Sequence, residues 1–265
     1  MTQLAENTKA DDSDGDATPS LPPPSLGYKL MHGLGWTFVW LGALTLGFVA
    51  HQLWITTFFA KANQADLEVE LEERFAAAEI VEVEYKPVVV AGEDPPPEPD
   101  PTIAGGASGT PGLLKTESPP ESGSAFAEIR IPSLESLEDG WTVVEGVKLS
   151  QLKNGAGHMP WTPLPGQPGN AVISGHRTTY GQPFHDLDQL VSGDLIEVDT
   201  ALGTHVYSVT EVFVVKPTDV WVTHPKSGAW LTLTTCNPKF SARERLIVHA
   251  QLVAGPNADV ILGRV

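Results

Sequence analysis

Cysteine is nearly absent from this chain: Cys236 is the only one among 265 residues. A single thiol excludes an internal disulfide and any zinc site built from several thiolates. Basic residues are scarce as well, with 16 Lys and Arg against 33 Asp and Glu and a formal charge of -17. No cluster of them is dense enough to displace counterions from a phosphate backbone, so nucleic acid is excluded as a partner. The 8 histidines form no HExxH or similarly spaced pair, which leaves a metal centre without support. No cofactor and no metal are expected, and the sequence has no internal repeat.

Charge is also missing from one long stretch. Residues 36–59, WTFVWLGALTLGFVAHQLWITTFF, carry no formal charge at neutral pH and match the roughly 20 residues that span a bilayer. With Trp36, Trp40 and Trp54 towards its ends, where indoles favour the headgroup boundary, the stretch reads as a transmembrane anchor over 33–60. The rival is a cleaved signal peptide, since Ala60-Lys61-Ala62 fits a small-x-small cleavage pattern, but the apolar run is longer than a usual signal core. Residues 1–32 are acidic and rich in Asp, Ser and Pro, which predicts a disordered tail.

After the anchor, Leu67, Leu71, Phe75 and Ala78 recur at helical spacing with no Gly or Pro among residues 62–80, so 61–85 is expected to be a juxtamembrane helix or stalk. Residues 86–124 hold much of the Pro and Gly and read as an extended linker. A folded domain is expected over 125–254, followed by a C-terminal tail, 255–265. Within that domain short runs rich in Val, Ile and Thr alternate with turn signals: AEIRI, WTVVEGV, NAVISG, DLIEVDT, THVYSVTEVFVV, AWLTLTT and RLIVHAQLV. With hardly any helical periodicity between them, they predict a mainly β domain, a sandwich or a barrel.

Three of those runs begin with or lead into reactive side chains. AWLTLTT runs into Cys236 just before Asn237-Pro238, where Pro breaks pairing; a thiol at a strand end is rigidly held yet exposed at the sheet's rim. NAVISG runs into His176, whose imidazole could take a thiol proton and later protonate a leaving amine. Arg245 opens RLIVHAQLV nine residues after Cys236, where an antiparallel return would bring a guanidinium back beside the thiol to meet an oxyanion. Arg243 is its decoy, and each of the three also has a bland reading as a structural or solvated side chain.

The segments TLTTCNPKFSARERLIVHA and PGQPGNAVISGHRTTYGQPFHDLDQLVSGD resemble the sortases, and within them class E. The likeness extends from about 126 to 253, taking in EIRIPSL and GDLIEVDT. It implies an eight-stranded sortase-type β-barrel with short helices and assigns Cys236 as nucleophile, His176 as acid and base, and Arg245 as oxyanion or positioning residue. Thr234, Thr235 and Tyr180 are further candidates for substrate contact. The implied activity is a cysteine transpeptidase cleaving an LAxTG-like signal between Thr and Gly.

The implied partners are surface proteins bearing such a C-terminal signal and a cell-wall precursor amine of lipid II type, or a pilin amine. No Asp-Pro-aromatic lid motif precedes the domain, which favours wall anchoring over pilus assembly. The implied location is the plasma membrane, single-pass, with the N-terminus cytoplasmic and the catalytic domain outside. The alternatives are a cysteine peptidase or hydrolase using the same dyad, a pilin-polymerising relative, and a non-catalytic anchored β-domain that binds a wall polymer.

Overall fold

The computed structural model describes residues 25–51, 55–85 and 112–264. Helix α1 (Leu26–Ala50) carries Lys29 as its only formal charge and buries none of its side chains. At 1.5 Å per residue it measures about 37 Å, enough to cross a hydrocarbon core of ~30 Å, and it is the one helix among the described residues long and apolar enough to do so.

Its position corrects the anchor expected over 33–60. Tyr28, Leu30 and Met31 extend the apolar helix towards the N-terminus, into the stretch expected to be a disordered tail. At the other end, residues from Thr56 belong to a second helix, α2 (Thr56–Ala77), which buries Thr56, Ala60, Gln64 and Leu71. These lie at helical spacing, so they form one stripe, and it packs against protein: α2 touches strands β3 and β4 of the barrel described below. The expected tail over 1–24 and residues 86–111 of the expected linker lie outside the described residues.

The helix also ends earlier than the stalk expected over 61–85. Past Ala78, whose ψ of 128° is extended, the alternating IVEVEY forms strand β1 (Ile80–Tyr85), paired antiparallel with β2 (Gly112–Glu117). Strand β2 lies inside the stretch read as linker. Leu114 holds it to the core, and Asn257, itself buried, donates to the Lys115 carbonyl (2.9 Å) and accepts from the Lys115 N–H (2.9 Å).

The remaining strands close into a barrel: β3 (Ala125–Arg130), β4 (Trp141–Glu145), β5 (Ala156–His158), β6 (Gly169–Ser174), β7 (Leu195–Thr200), β8 (Gly203–Val215), β9 (Ala229–Asn237) and β10 (Glu244–Ala254). Their order around it is β10-β8-β7-β3-β4-β5-β6-β9. The pairs β4–β5 and β6–β9 are parallel, and the other neighbours are antiparallel. A closed barrel leaves no free edge, and alternation turns Ile129, Ile173, Ile196, Val198, Leu231 and Leu233 inward, all fully buried.

A short helix, α3 (Leu149–Leu152), lies between β4 and β5. The stretch from 255 on, expected to be a tail, forms α4 (Ala258–Ile261), whose Ala258 and Ile261 are buried in the main core cluster. The i, i+3 spacing of these two puts both on the face turned to the barrel.

Candidate active site

Strand β9 carries Cys236 to the rim by simple alternation. Leu231 and Leu233 fill the barrel, so Thr232, Thr234 and Cys236 share the opposite face. The Thr232 end of that face is closed: its hydroxyl donates to Asn170 Oδ1 (2.7 Å), and the Asn170 amide donates to the carbonyls of Val222 (3.0 Å) and His224 (3.1 Å). The Cys236 end is open, and the residue is half-buried.

Neighbouring strands flank the thiol. Strand β6 runs parallel to β9 with Val172 beside Thr232 and Ser174 beside Thr234; one more same-face step along both chains reaches His176 and Cys236. The junction is pinned by the Gly175 N–H donating to the Thr234 carbonyl (3.1 Å) and the Thr235 hydroxyl donating to the Gly175 carbonyl (2.8 Å). On the other side Arg245 of β10 is the register partner of Cys236. Imidazole, thiol and guanidinium thus occupy consecutive positions across three adjacent strand ends, and all three residues line one groove of ≈ 350 Å³. Val147, Leu152, Met159, Val220 and Val222 make its apolar walls.

The surroundings of His176 favour its neutral ring. Burial, and secondarily the positive charge of Lys153, lowers its proton affinity below the ordinary histidine value of 6.5. Its Nε2 is buried with no hydrogen-bond partner, and Nδ1 has only Thr179 Oγ1 at 3.5 Å. An unsatisfied buried ring nitrogen costs about 1–3 kcal/mol, a cost that proton transfer to and from a reacting group would explain. The Arg245 guanidinium is held from behind by Nη1 donation to the carbonyls of Ala242 (3.0 Å) and Glu244 (2.9 Å). Arg243, two residues away, is exposed.

Of the lesser candidates, Thr234 lines the groove. Thr235 also reaches it, with its hydroxyl committed to Gly175. Tyr180 packs on His176 instead, ring centroids 5.0 Å apart. Among the described residues no group of three or more His, Cys, Asp or Glu could hold a metal ion.

Sequence reasoning passed over Arg177. Its side chain is buried, and Nη1 donates to Asn237 Oδ1 (2.6 Å) and to the carbonyl of Cys236 (3.3 Å), while Nη2 pairs with Asp188 (3.0 Å). One guanidinium therefore ties the loop after His176 to the strand end bearing the thiol.

Residues 129–253 match the family described as the Sortase domain. The chain is 26% identical over 246 residues to "Sortase SrtE1" of Streptomyces coelicolor, an alignment covering 87% of this chain and 59% of that protein, so it spans less than two thirds of that relative's length. It is 30% identical over 141 residues to "Sortase D" of Bacillus subtilis, covering 51% of this chain and 67% of that one. Among solved structures, sortase E from Streptomyces avermitilis is 37% identical, covers 51% of this chain and 91% of its own, and superposes with a TM-score of 0.47.

Proposed function

The chain belongs to the sortase family, and on that premise we propose that it is a membrane-anchored cysteine transpeptidase. The observation that carries the reading is the row of His176, Cys236 and Arg245 along one groove. His176 takes the proton of Cys236, and the sulfur attacks the Thr-Gly carbonyl of a C-terminal LAxTG-like signal. Arg245 meets the negative charge that develops on the carbonyl oxygen. The imidazolium then protonates the departing glycine amine, leaving a thioester. An acceptor amine, supplied by a cell-wall precursor, attacks that thioester; its proton passes back through His176, and the thiol is restored.

The apolar walls suit the aliphatic side chains of such a signal. Helix α1 serves as the anchor in this reading, with the N-terminus cytoplasmic and the barrel outside.

Intact-mass analysis of the full chain incubated with a labelled LAxTG peptide tests the proposal. A covalent acyl adduct on Cys236, absent from Cys236→Ala, is expected, with an added amine entering the product. Absence of any adduct overturns the proposal. Steady hydrolysis with no amine incorporated replaces the transferase by a hydrolase at the same residues.

A further inference from the structure

The N-terminal part of α2 lies against the surroundings of His176, not against the strands alone. Gln64, buried at 7% exposure, makes two bonds to different pieces of the barrel. Its Oε1 accepts from the Thr142 N–H (2.9 Å), and its Nε2 donates to the Asn154 carbonyl (2.7 Å). Asn63, one position earlier, adds a bond from its Nδ2 to Asn154 Oδ1 (3.1 Å). One turn back, Ala60 is 1% exposed. A Cβ placed on Gly181 would run into the Trp141 ring and come within 3.4 Å of the Ala60 Cβ, so the 180–181 turn is packed between the two. Gly181 also has a φ of 78°, a conformation that suits glycine.

Both points of attachment adjoin groups that act on the imidazole. Gly181 follows Tyr180, whose ring packs on His176. Asn154 follows Lys153, whose ammonium sits 5.6 Å from the centre of the Tyr180 ring. The order of contact is therefore helix, then the Asn154 and Gly181 turns, then Lys153 and Tyr180, then His176. An amide buried in this way is costly unless both its ends are bonded, and here one bond fixes strand β4 and the other the Asn154 turn.

We propose that Gln64 is a positioning residue for the reaction: through Asn154 and Thr142, with Ala60 seated against Gly181, the helix that follows the anchor sets the place of His176 relative to Cys236. The inference rests on the proposed transpeptidation for its functional meaning. It makes α2 part of the catalytic unit, so that a chain shortened to the barrel would keep the catalytic residues without the contacts that place one of them.

The test uses the full chain and three variants. Gln64→Ala removes both bonds. Gln64→Glu keeps the bond from Thr142 and sets a carboxylate against the Asn154 carbonyl, so it breaks only the bond of Gln64 to the turn that follows Lys153 and leaves that of Asn63 in place. Arg74→Gln breaks the ion pair with Glu117 at the far end of the same helix (3.0 Å) and reports loss of helix stability alone. Per folded molecule, both Gln64 variants should lose about tenfold or more in kcat with KM within twofold, and Arg74→Gln should keep its kcat while its Tm falls.

The pH dependence of iodoacetamide capture at Cys236, read by intact mass, follows the imidazole without any substrate and should shift in both Gln64 variants only. Wild-type kcat and an unshifted capture profile in Gln64→Glu overturn the inference, as does an equal loss of kcat in Arg74→Gln. If capture shifts as stated while even the wild type processes no sorting peptide, the positioning role stands and the transpeptidase reading falls.

Discussion

Arg245 stands directly across the β9–β10 ladder from Cys236. Opposed residues of an antiparallel pair hold their Cβ atoms about 4.5–5.5 Å apart on one face, so the strand pairing itself roots the Arg245 side chain beside that of Cys236. The same register sets Glu244 against Asn237, and the Asn237 amide donates to the Glu244 carboxylate (2.9 Å). Position 245 is thus fixed by ladder and side chain together, which separates it from the exposed Arg243.

This placement makes Arg245→Lys a sharp test. Lysine keeps the charge but not the planar fork, whose Nη1 rests on the Ala242 and Glu244 carbonyls and leaves its other donors free of them. Loss of one preorganised oxyanion donor is worth roughly 10²–10³ in kcat. Arg245→Lys is expected to lose about that much in acyl transfer, with little change in Tm, while Arg243→Lys stays near wild type. A single-turnover assay with a labelled sorting peptide measures both; equal losses would reassign the oxyanion role.

Arg177 should behave differently, because it acts through the backbone of Cys236. Removing it leaves Asn237 Oδ1 and the Cys236 carbonyl without their buried donor, at about 1–3 kcal/mol; Asp188, 45% exposed, can turn to water. Arg177→Ala should therefore lower both Tm and kcat. Arg177→Lys, which keeps the charge and loses the fork, should recover most of the Tm and little of the rate. Urea denaturation alongside kcat and KM separates the two, and full recovery of rate by lysine would make Arg177 a matter of charge alone.

The difference between these two arginines also marks what could be seen in the sequence. Arg245 was legible because a return strand nine residues past a strand-terminal cysteine has few places to go, and the sortase resemblance fixed the choice. The burial of Arg177 depends on Asp188, in the segment after His185, meeting Asn237 at the end of strand β9, and no local pattern encodes that. Strand β5 escaped notice for a related reason: Ala156–His158 is short and Gly-containing, so it shows no alternation, and it is held by pairing on both sides. Strand β2 was hidden by the Pro and Gly around it, although GLLKTE supplies the Leu114 that the core takes up. The anchor was displaced because apolar composition alone does not distinguish lipid from a barrel wall, and one stripe of the second helix, from Thr56 through Ala60 to Gln64 and Leu71, is buried against protein.

The pH profile of acylation follows from the environment of His176. Burial first, and Lys153 second, push its proton affinity below the ordinary value, so the neutral, proton-accepting ring persists below pH 6.5 and the acidic limb of the profile should fall beneath that point. Taking away the positive charge with Lys153→Met should raise the affinity and move the limb to higher pH. The burial contribution would remain, so the limb should stay below that of a free imidazole. Acyl-adduct formation followed from pH 4 to 8 measures the displacement; movement to lower pH would contradict the assigned cause.

A second histidine should govern acid stability without touching the reaction. His205 is fully buried beneath Gly166, with Nε2 3.1 Å from the Thr200 hydroxyl and Nδ1 unpartnered. Burial lowers its pKa from 6.5 to about 4, with Asp199 opposing weakly. The folded value lies below the unfolded one, so the unfolded chain binds the proton first as pH falls. The stability tied to the neutral ring is therefore whole above about pH 6.5 and is lost progressively down to about pH 4, to the extent of roughly 3 kcal/mol. His205→Gln keeps an amide for Thr200 and removes the titration. Its Tm should be lower at pH 7, yet the gap to wild type should narrow steadily as the buffer is taken from pH 6.5 to 4. His176 and His249 titrate in both proteins and cancel in that difference, so parallel curves across the window would show that His205 takes up its proton without cost to the fold.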